Sequence, residues 1–418
     1  MADTDVAADI AADELNLTTG AAVTLPNLEF VETATVNANT ALNLNGLTWP
    51  CGTFAGASSV TLNGPAILND IACGDKVING PTLLNSGGQM ATWTGGNIVI
   101  DGGGRLDNAG MFDIQTDASI TDGGNSVNTI LNQSTGTFIK TAGAGTNSVG
   151  VILFNLGLVE VQSGAINFTA NYRMDAGVTR LNGGDLLANV QFQLRGGTLE
   201  GDGNLTGDVL LTADVPGATV APGFSAGVIN QTGTFTRSST GTFNIELGGT
   251  TPGNMVGNHD QYNVTGTANL DGTLTVTLID AFTPIVGDTF TILTASVARN
   301  GQFTTLNLPD VSPNSFQVNY LANAVELEVV ANAAPNAVDD NVVTLEDTTL
   351  SQITPLDNDS DTDGPNPLSI SAVSDPPNGT AVIDMGNLTV SYTPDLDFNG
   401  MDSFTYDVTD GANTVTAT

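Results

Sequence analysis

The stretch NAGMFDIQTDASITDGGNSVNTILNQSTGTFIKTAGAGTNSVGVILFNLGLVEV (Asn108 to Val161) carries the pattern that decides the fold. Three times, a turn bearing Asn and Gly is followed by a short apolar run. Asn108-Ala109-Gly110 precedes Met111, Phe112, Asp113 and Ile114; Asn132 to Gly136 precedes Thr137, Phe138 and Ile139; Asn155-Leu156-Gly157 precedes Leu158, Val159, Glu160 and Val161. Such runs predict strands of roughly three to five residues. The glycines at 110, 136 and 157 recur at intervals of 26 and 21 residues, and a period in the twenties is the mark of stacked units. Strands this short bury no face alone. Coils of two or three strands stacked ~4.8 Å apart, however, pair every backbone group with the coil above and below.

The same theme runs outward from about Ala21 to Asn230, which predicts an all-β chain built on a right-handed parallel β-helix, a β-solenoid. At ~22 residues per coil this amounts to about ten coils, ~50 Å of stack. Inward apolar side chains are expected to form ladders, with Gly and Asn at corners because both tolerate positive φ. Residues 1–20 read as an N-terminal cap or flexible segment. Over 231–330 the strands lengthen, as in GTFNIEL (Gly241 to Leu247) and DTFTILT (Asp288 to Thr294). That region predicts terminal coils and a β-rich cap, which a solenoid needs to cover its last open edge. Residues 331–336 (ANAAPN) form a linker, and 337–418 predict a β-sandwich truncated at its last strand, since GANTVTAT (Gly411 to Thr418) stops inside what reads as a strand.

Composition restricts the function. Asp and Glu total 44 against 8 Lys and Arg, a net charge of −36 over 418 residues. No basic patch can neutralise a run of phosphates, so nucleic acid and anionic membrane surfaces are excluded as partners. Cations and neutral polymers remain. The two cysteines, Cys51 and Cys73, exclude multi-cysteine metal sites; lying 22 residues apart, about one coil, they allow either a disulfide or a buried free-thiol pair. The start, MADTDVAADIAADEL, has acidic residues where a secretory signal carries basic ones.

Two resemblances follow from longer motifs. LVEVQSGAINFTANY (Leu158 to Tyr172), QLRGGTLEGDGNLTGDV (Gln193 to Val209), APGFSAGVI (Ala221 to Ile229) and DQYNVTGTANLDGTLTVTLI (Asp260 to Ile279) resemble the autotransporter-passenger-like β-strand-repeat proteins of bacterial surfaces. PNAVDDN, LEDTTL, PLDNDSDTDG, PPNGTAVI and SYTPDLDFNGMDSFTYDVTDG resemble the cadherin-like, immunoglobulin-fold tandem repeats of large bacterial adhesins. The second resemblance implies acidic loops that bind calcium and stiffen strings of repeats.

The residues themselves point the same way. Asp359, Asp361 and Asp363, at alternate positions before Gly364, suit a hard cation with roughly six to eight oxygen ligands. A twelfth-position Ile370 and the lack of flanking helices reject an EF-hand. Further Ca2+ ligands are sought among Asp339, Asp340, Glu346, Asp347, Asp402 and Asp410.

Catalytic signals are weaker. The single histidine, His259, reads as surface decoration in GNHDQY, and neither G-x-S-x-G nor H-E-x-x-H occurs. Parallel β-helices do host polysaccharide lyases and glycosidases, for which Asp101, Asp107 and Asp113 around Arg105 are the best carboxylate set. Trp93 reads as a corner residue; exposure of Trp93 or Tyr172 would instead favour a carbohydrate-binding module. The expected function is a non-enzymatic, extracellular or cell-surface adhesin whose receptor is a polysaccharide or protein. It carries no catalytic residues, does not insert into membranes, and continues into further repeats; a polysaccharide-active enzyme or binding module is the alternative.

Overall fold

The computed structural model describes residues 8–10, 14–17, 21–30, 33–70, 72–124, 126–213, 217–361, 367–384 and 386–418. The chain forms two compact units, residues 1–282, 291–307 and 320–326 in the first and 283–290, 308–319 and 327–418 in the second. Among the described residues there is no α-helix; a 3-10 turn at Pro355–Asn358 is the helical element.

The first unit is a parallel β-solenoid. Met90–Trp93, Ile98–Asp101 and Arg105–Asn108 make one coil, and Met111–Ile114, Ile120–Asp122 and Thr129–Asn132 the next. Each strand pairs in parallel with its counterpart: Met90 with Met111, Ile98 with Ile120, Arg105 with Thr129. One of the three sheets runs unbroken through thirteen strands, from Val23–Leu25 to Ala298–Gly301. Ten of these lie between Val23–Leu25 and Val209–Leu211, in line with about ten coils over 21–230. Register partners are 24 residues apart at Asn108 and Asn132 but 33 apart at Asn230 and Asn263, so the later coils carry longer loops. In the N-terminal segment, Ala8–Ile10 and Glu14–Leu17 already pair in parallel with Leu28–Phe30 and Thr35–Ala38; residues 1–7, 11–13 and 18–20 lie outside the described residues.

Strand period two fills the interior. In Thr82–Asn85 the second and fourth side chains are buried and the others half-buried. Register stacks like on like, so Phe112 lies over Phe138 with nearly parallel rings 5.3 Å apart. Trp49 packs edge-on to Phe54 at 4.9 Å. The repeat asparagines do not occupy corners. Asn85, Asn108, Asn132 and Asn155 are register partners, fully buried, and form a ladder in which each Nδ2 donates to the next Oδ1 at 2.8, 2.9 and 2.8 Å. Each Nδ2 also donates to a backbone carbonyl, those of Met111, Thr137, Leu158 and Val178 in turn. A buried amide requires such partners, and an identical amide one coil on supplies one.

The repeat glycines also differ from expectation. Gly110, Gly136 and Gly157 do not have positive φ. A Cβ at Gly157 would lie 2.2 Å from the Gly136 carbonyl oxygen, and one at Gly136 2.2 Å from that of Asn108. Close coil-to-coil approach dictates these residues, rather than a left-handed turn.

Cys51 and Cys73 form a disulfide with a Cα separation of 5.8 Å, which settles the open alternative at that pair. Both lysines are fully buried: Lys76 Nζ donates to the Gly95 carbonyl at 2.6 Å, and Lys140 Nζ reaches the Thr116 carbonyl and Asp117 Oδ1, each at 2.9 Å.

In the second unit, two three-stranded antiparallel sheets form a sandwich. One holds Leu350–Ile353, Val390–Pro394 and Gly379–Ile383; the other holds Ser369–Val373, Tyr406–Thr409 and Thr414–Ala417. Ile370, Ala381, Val390, Tyr406, Val408 and Ala417 make its core. The closing segment, Thr414–Ala417, pairs with Tyr406–Thr409 as a strand of the second sheet.

Candidate functional site

The acidic loops of the sandwich gather in three sets of contacts. Asp339, Asp340 and Asp359 surround the buried Tyr406. Its hydroxyl donates to Asp340 Oδ2 at 2.8 Å, while Asp340 Oδ1 accepts from Asn358 Nδ2 at 3.1 Å. Burial, reinforced by these carboxylates, pushes the Tyr406 hydroxyl far above its ordinary value. Asp359 Oδ1 accepts from the Val338 N–H at 2.7 Å and its Oδ2 is buried without a hydrogen-bond partner; burial, with Asp340 nearby, raises its carboxyl. Asp339 Oδ1 accepts from the Thr418 N–H at 2.9 Å. Asp361 follows in the same loop, and Asp363 lies outside the described residues.

Glu346 and Asp347 belong to a second set. Their carboxylate oxygens and those of Asp397 lie within 4.8 Å of one another at the surface. Asp347 and Asp397 both adopt left-handed backbone, φ 55° and 60°, and the Asp397 N–H donates to Asp347 Oδ1 at 2.8 Å. Sequence reading missed Asp397, although DLDFNG is an acidic turn of the same character as those it singled out.

Asp402 makes the third set, its Oδ2 accepting from the Tyr392 hydroxyl and the Asn378 N–H at 3.0 and 3.1 Å, its Oδ1 buried and unpartnered. Asp340, Glu346 and Asp402, one from each set, border a single recess of about 510 Å3. Asp410 serves a different purpose. Burial opposes its charge, but the N–H groups of Ala412 and Asn413 and the Asn332 amide outweigh burial and hold its carboxyl below the usual range. It clasps a turn.

The solenoid separates the carboxylates proposed for glycoside chemistry. Asp101, Asp107 and Asp113 fall on three successive strands, the last in the next coil, each in a different sheet. Asp107 pairs with Arg105, and Asp113 accepts from Gln115 and Thr141, both at 2.6 Å. His259 is buried rather than exposed, with Nδ1 3.0 Å from the Gly249 carbonyl; its neighbour Asp260 is buried too, accepting the N–H groups of Gly227 and Glu246. The polar text GNHDQY reads as a loop, but its His259 and Asp260 tie backbone groups together. Burial lowers the imidazole and pushes the Asp260 carboxyl up to about 8.

A carboxylate and arginine row that sequence reading did not single out lies on one outer face. Glu160, Arg180 and Glu200 are register partners, and Arg180 contacts Glu160 at 3.5 Å and Glu200 at 2.6 Å. Both carboxylates point at one guanidinium rather than across a cleft. Trp49, Trp93 and Tyr172 are fully buried, so none is a stacking platform; Trp93 fills the interior.

No helix among the described residues is long and apolar enough to cross a membrane. No curated protein matches the chain. Residues 332–418, the two-sheet sandwich and its approach, match the family described as bacterial Ig domain.

Proposed function

We propose that this chain is a non-enzymatic structural and adhesive protein of the bacterial exterior, with a polysaccharide or protein receptor. The observation that carries this reading is the joining, in one chain, of an unbroken thirteen-strand parallel stack to a bacterial Ig domain. A solenoid whose interior is filled by side chains offers stiffness and outer faces rather than an internal cavity. The Ig domain binds Ca2+ through its acidic loops. Glu346, Asp347 and Asp397 supply convergent carboxylates, and Asp359, whose Oδ2 has no hydrogen-bond partner, sits with Asp339 and Asp340 around Tyr406. Oxygen-only donors of this kind suit a hard cation.

Two measurements on the full chain test this. Calorimetric unfolding with calcium and with chelator should show the Ig-domain transition rising with calcium, by RT ln(1 + [L]/Kd); an unmoved transition removes the calcium assignment. Beads coated with the protein should adhere to cells or immobilised polysaccharide, and failure across such a panel removes the adhesive one. The alternative is a polysaccharide-active enzyme on the same solenoid, for which Glu160 and Glu200 beside Arg180 are the carboxylates that the register brings together. Release of unsaturated or reducing sugar ends would establish that second reading.

A further inference from the structure

Among the described residues, one aromatic ring is exposed, that of Phe224, at 58%. Its position is built rather than incidental. Gly201 and Gly223 exchange hydrogen bonds of 3.2 and 2.7 Å in an antiparallel bridge within a mainly parallel stack. Gly223 has φ 88°, and a Cβ there would lie 2.6 Å from the backbone of Ala226, so the chain turns tightly only with glycine at this point. The turn sets Phe224 on the outer face, with the Arg180 guanidinium 5.4 Å from the ring centroid. Arg180 is in turn fixed by Glu160 and Glu200. Beside the ring lies a recess of about 400 Å3 lined by Asn182, Gly183, Asp202, Phe224, Ser225 and Asn254, among others.

We infer that this recess binds a neutral sugar residue of a polysaccharide, the apolar face of the sugar against Phe224 and its hydroxyls on Asn182, Asp202 and Asn254. An exposed ring with amides and a carboxylate at its margin matches a ligand that is apolar on one face and hydroxylated at its edge. A recess of this volume falls in the range of small-ligand sites. Charge sets the class: Glu160 and Glu200 offset the single Arg180 guanidinium, and Asp202 lines the recess with no cation paired to it among the described residues, so a uronate polymer is repelled. The inference deepens the adhesive reading by naming its ligand class.

The test uses the full chain, titrated calorimetrically with a soluble β-glucan, a xylan, a mannan and, as charged control, polygalacturonate. At least one neutral glycan should bind and polygalacturonate should not. Phe224→Ala should weaken the neutral glycan about tenfold or more with an unchanged melting temperature, Asn254→Ala should weaken it less, and Phe224→Trp should tighten it. Absence of neutral-glycan binding at millimolar sugar, unchanged affinity in Phe224→Ala, or preference for polygalacturonate each overturns the inference. Bead adhesion separates it from the broader reading. Glycan binding that depends on Phe224 while beads hold no cells keeps the subsite and removes adhesion. Cell adhesion unaffected by Phe224→Ala, with no glycan bound, does the reverse.

Discussion

Asn132 stands in the middle of a chain of buried amides, donating to Asn155 Oδ1 and the Leu158 carbonyl while accepting from Asn108. Replacing it with Leu leaves partners unsatisfied on both sides in a dry interior, where each unmade hydrogen bond costs about 1–3 kcal/mol. Asn132→Leu should therefore lower denaturant-unfolding stability by about 2–4 kcal/mol. Asn85 ends the ladder, its Oδ1 unpartnered and its neighbour one coil back already Leu62; Asn85→Leu should cost less, and equal losses at the two positions would contradict the ladder's role. Lys76 gives a pH-dependent prediction. Burial lowers its ammonium from 10.5 to about 8, against the opposing pull of Asp70 and Asp75. Between those values the unfolded chain holds a proton that the folded chain has released, so this residue makes stability rise with pH across that window. Below about 8 the folded state carries the full penalty of the buried charge. The difference in melting temperature between Lys76→Met and the parent should accordingly shift in the parent's favour from pH 8 to pH 10; a constant difference would show that Lys76 does not titrate there. Neither residue's role was legible in sequence. An Asn after a strand and before a Gly reads as a turn, and only the register one coil on reveals that its side chain points inward.

Strands of three or four residues were legible because their alternation is local and their turns are punctuated by glycine. What the repeat glycines do was not, because their constraint is the carbonyl of the preceding coil, some twenty residues away. The same distance explains the site residues. Glu160, Arg180 and Glu200 become neighbours only once the coil length is fixed, and Asp101, Asp107 and Asp113, adjacent in the text, are sent to different sheets by the corners between them. The Cys51–Cys73 bridge, by contrast, spans one coil and was anticipated as one of two alternatives. It closes a loop of 22 residues, for which chain-entropy reasoning gives about 3 kcal/mol. Cys51→Ala with Cys73→Ala, or reduction of the parent, should lower the stability of the solenoid by about that amount in denaturant titrations with and without reductant. No change on reduction would mean the neighbouring coils already fix that loop.

At the scale of the whole molecule, charge dominates. A net −36 with no Lys or Arg after Arg299 leaves the Ig domain without an internal cation, so its carboxylates are balanced by hydrogen bonds, screening ions or bound metal. Raising monovalent salt to about 0.1 M, where screening acts over about 10 Å, should raise the melting temperature of the chain through weakened self-repulsion. Calcium at far lower concentration should do more for the Ig domain than this salt does; equal effects at equal ionic strength would identify screening as the whole cause. Fold class could be read from composition and spacing, while the exposed side chains could not, because exposure is settled only by packing. The burial of Lys76 and Lys140 has a further practical consequence. The native chain presents no lysine side chain to acylating reagents or to cross-linkers that act on amines, so coupling through lysine will fail under native conditions. Acylation of Lys76 or Lys140, followed by mass spectrometry, becomes a clock for the opening of two identified coils of the stack.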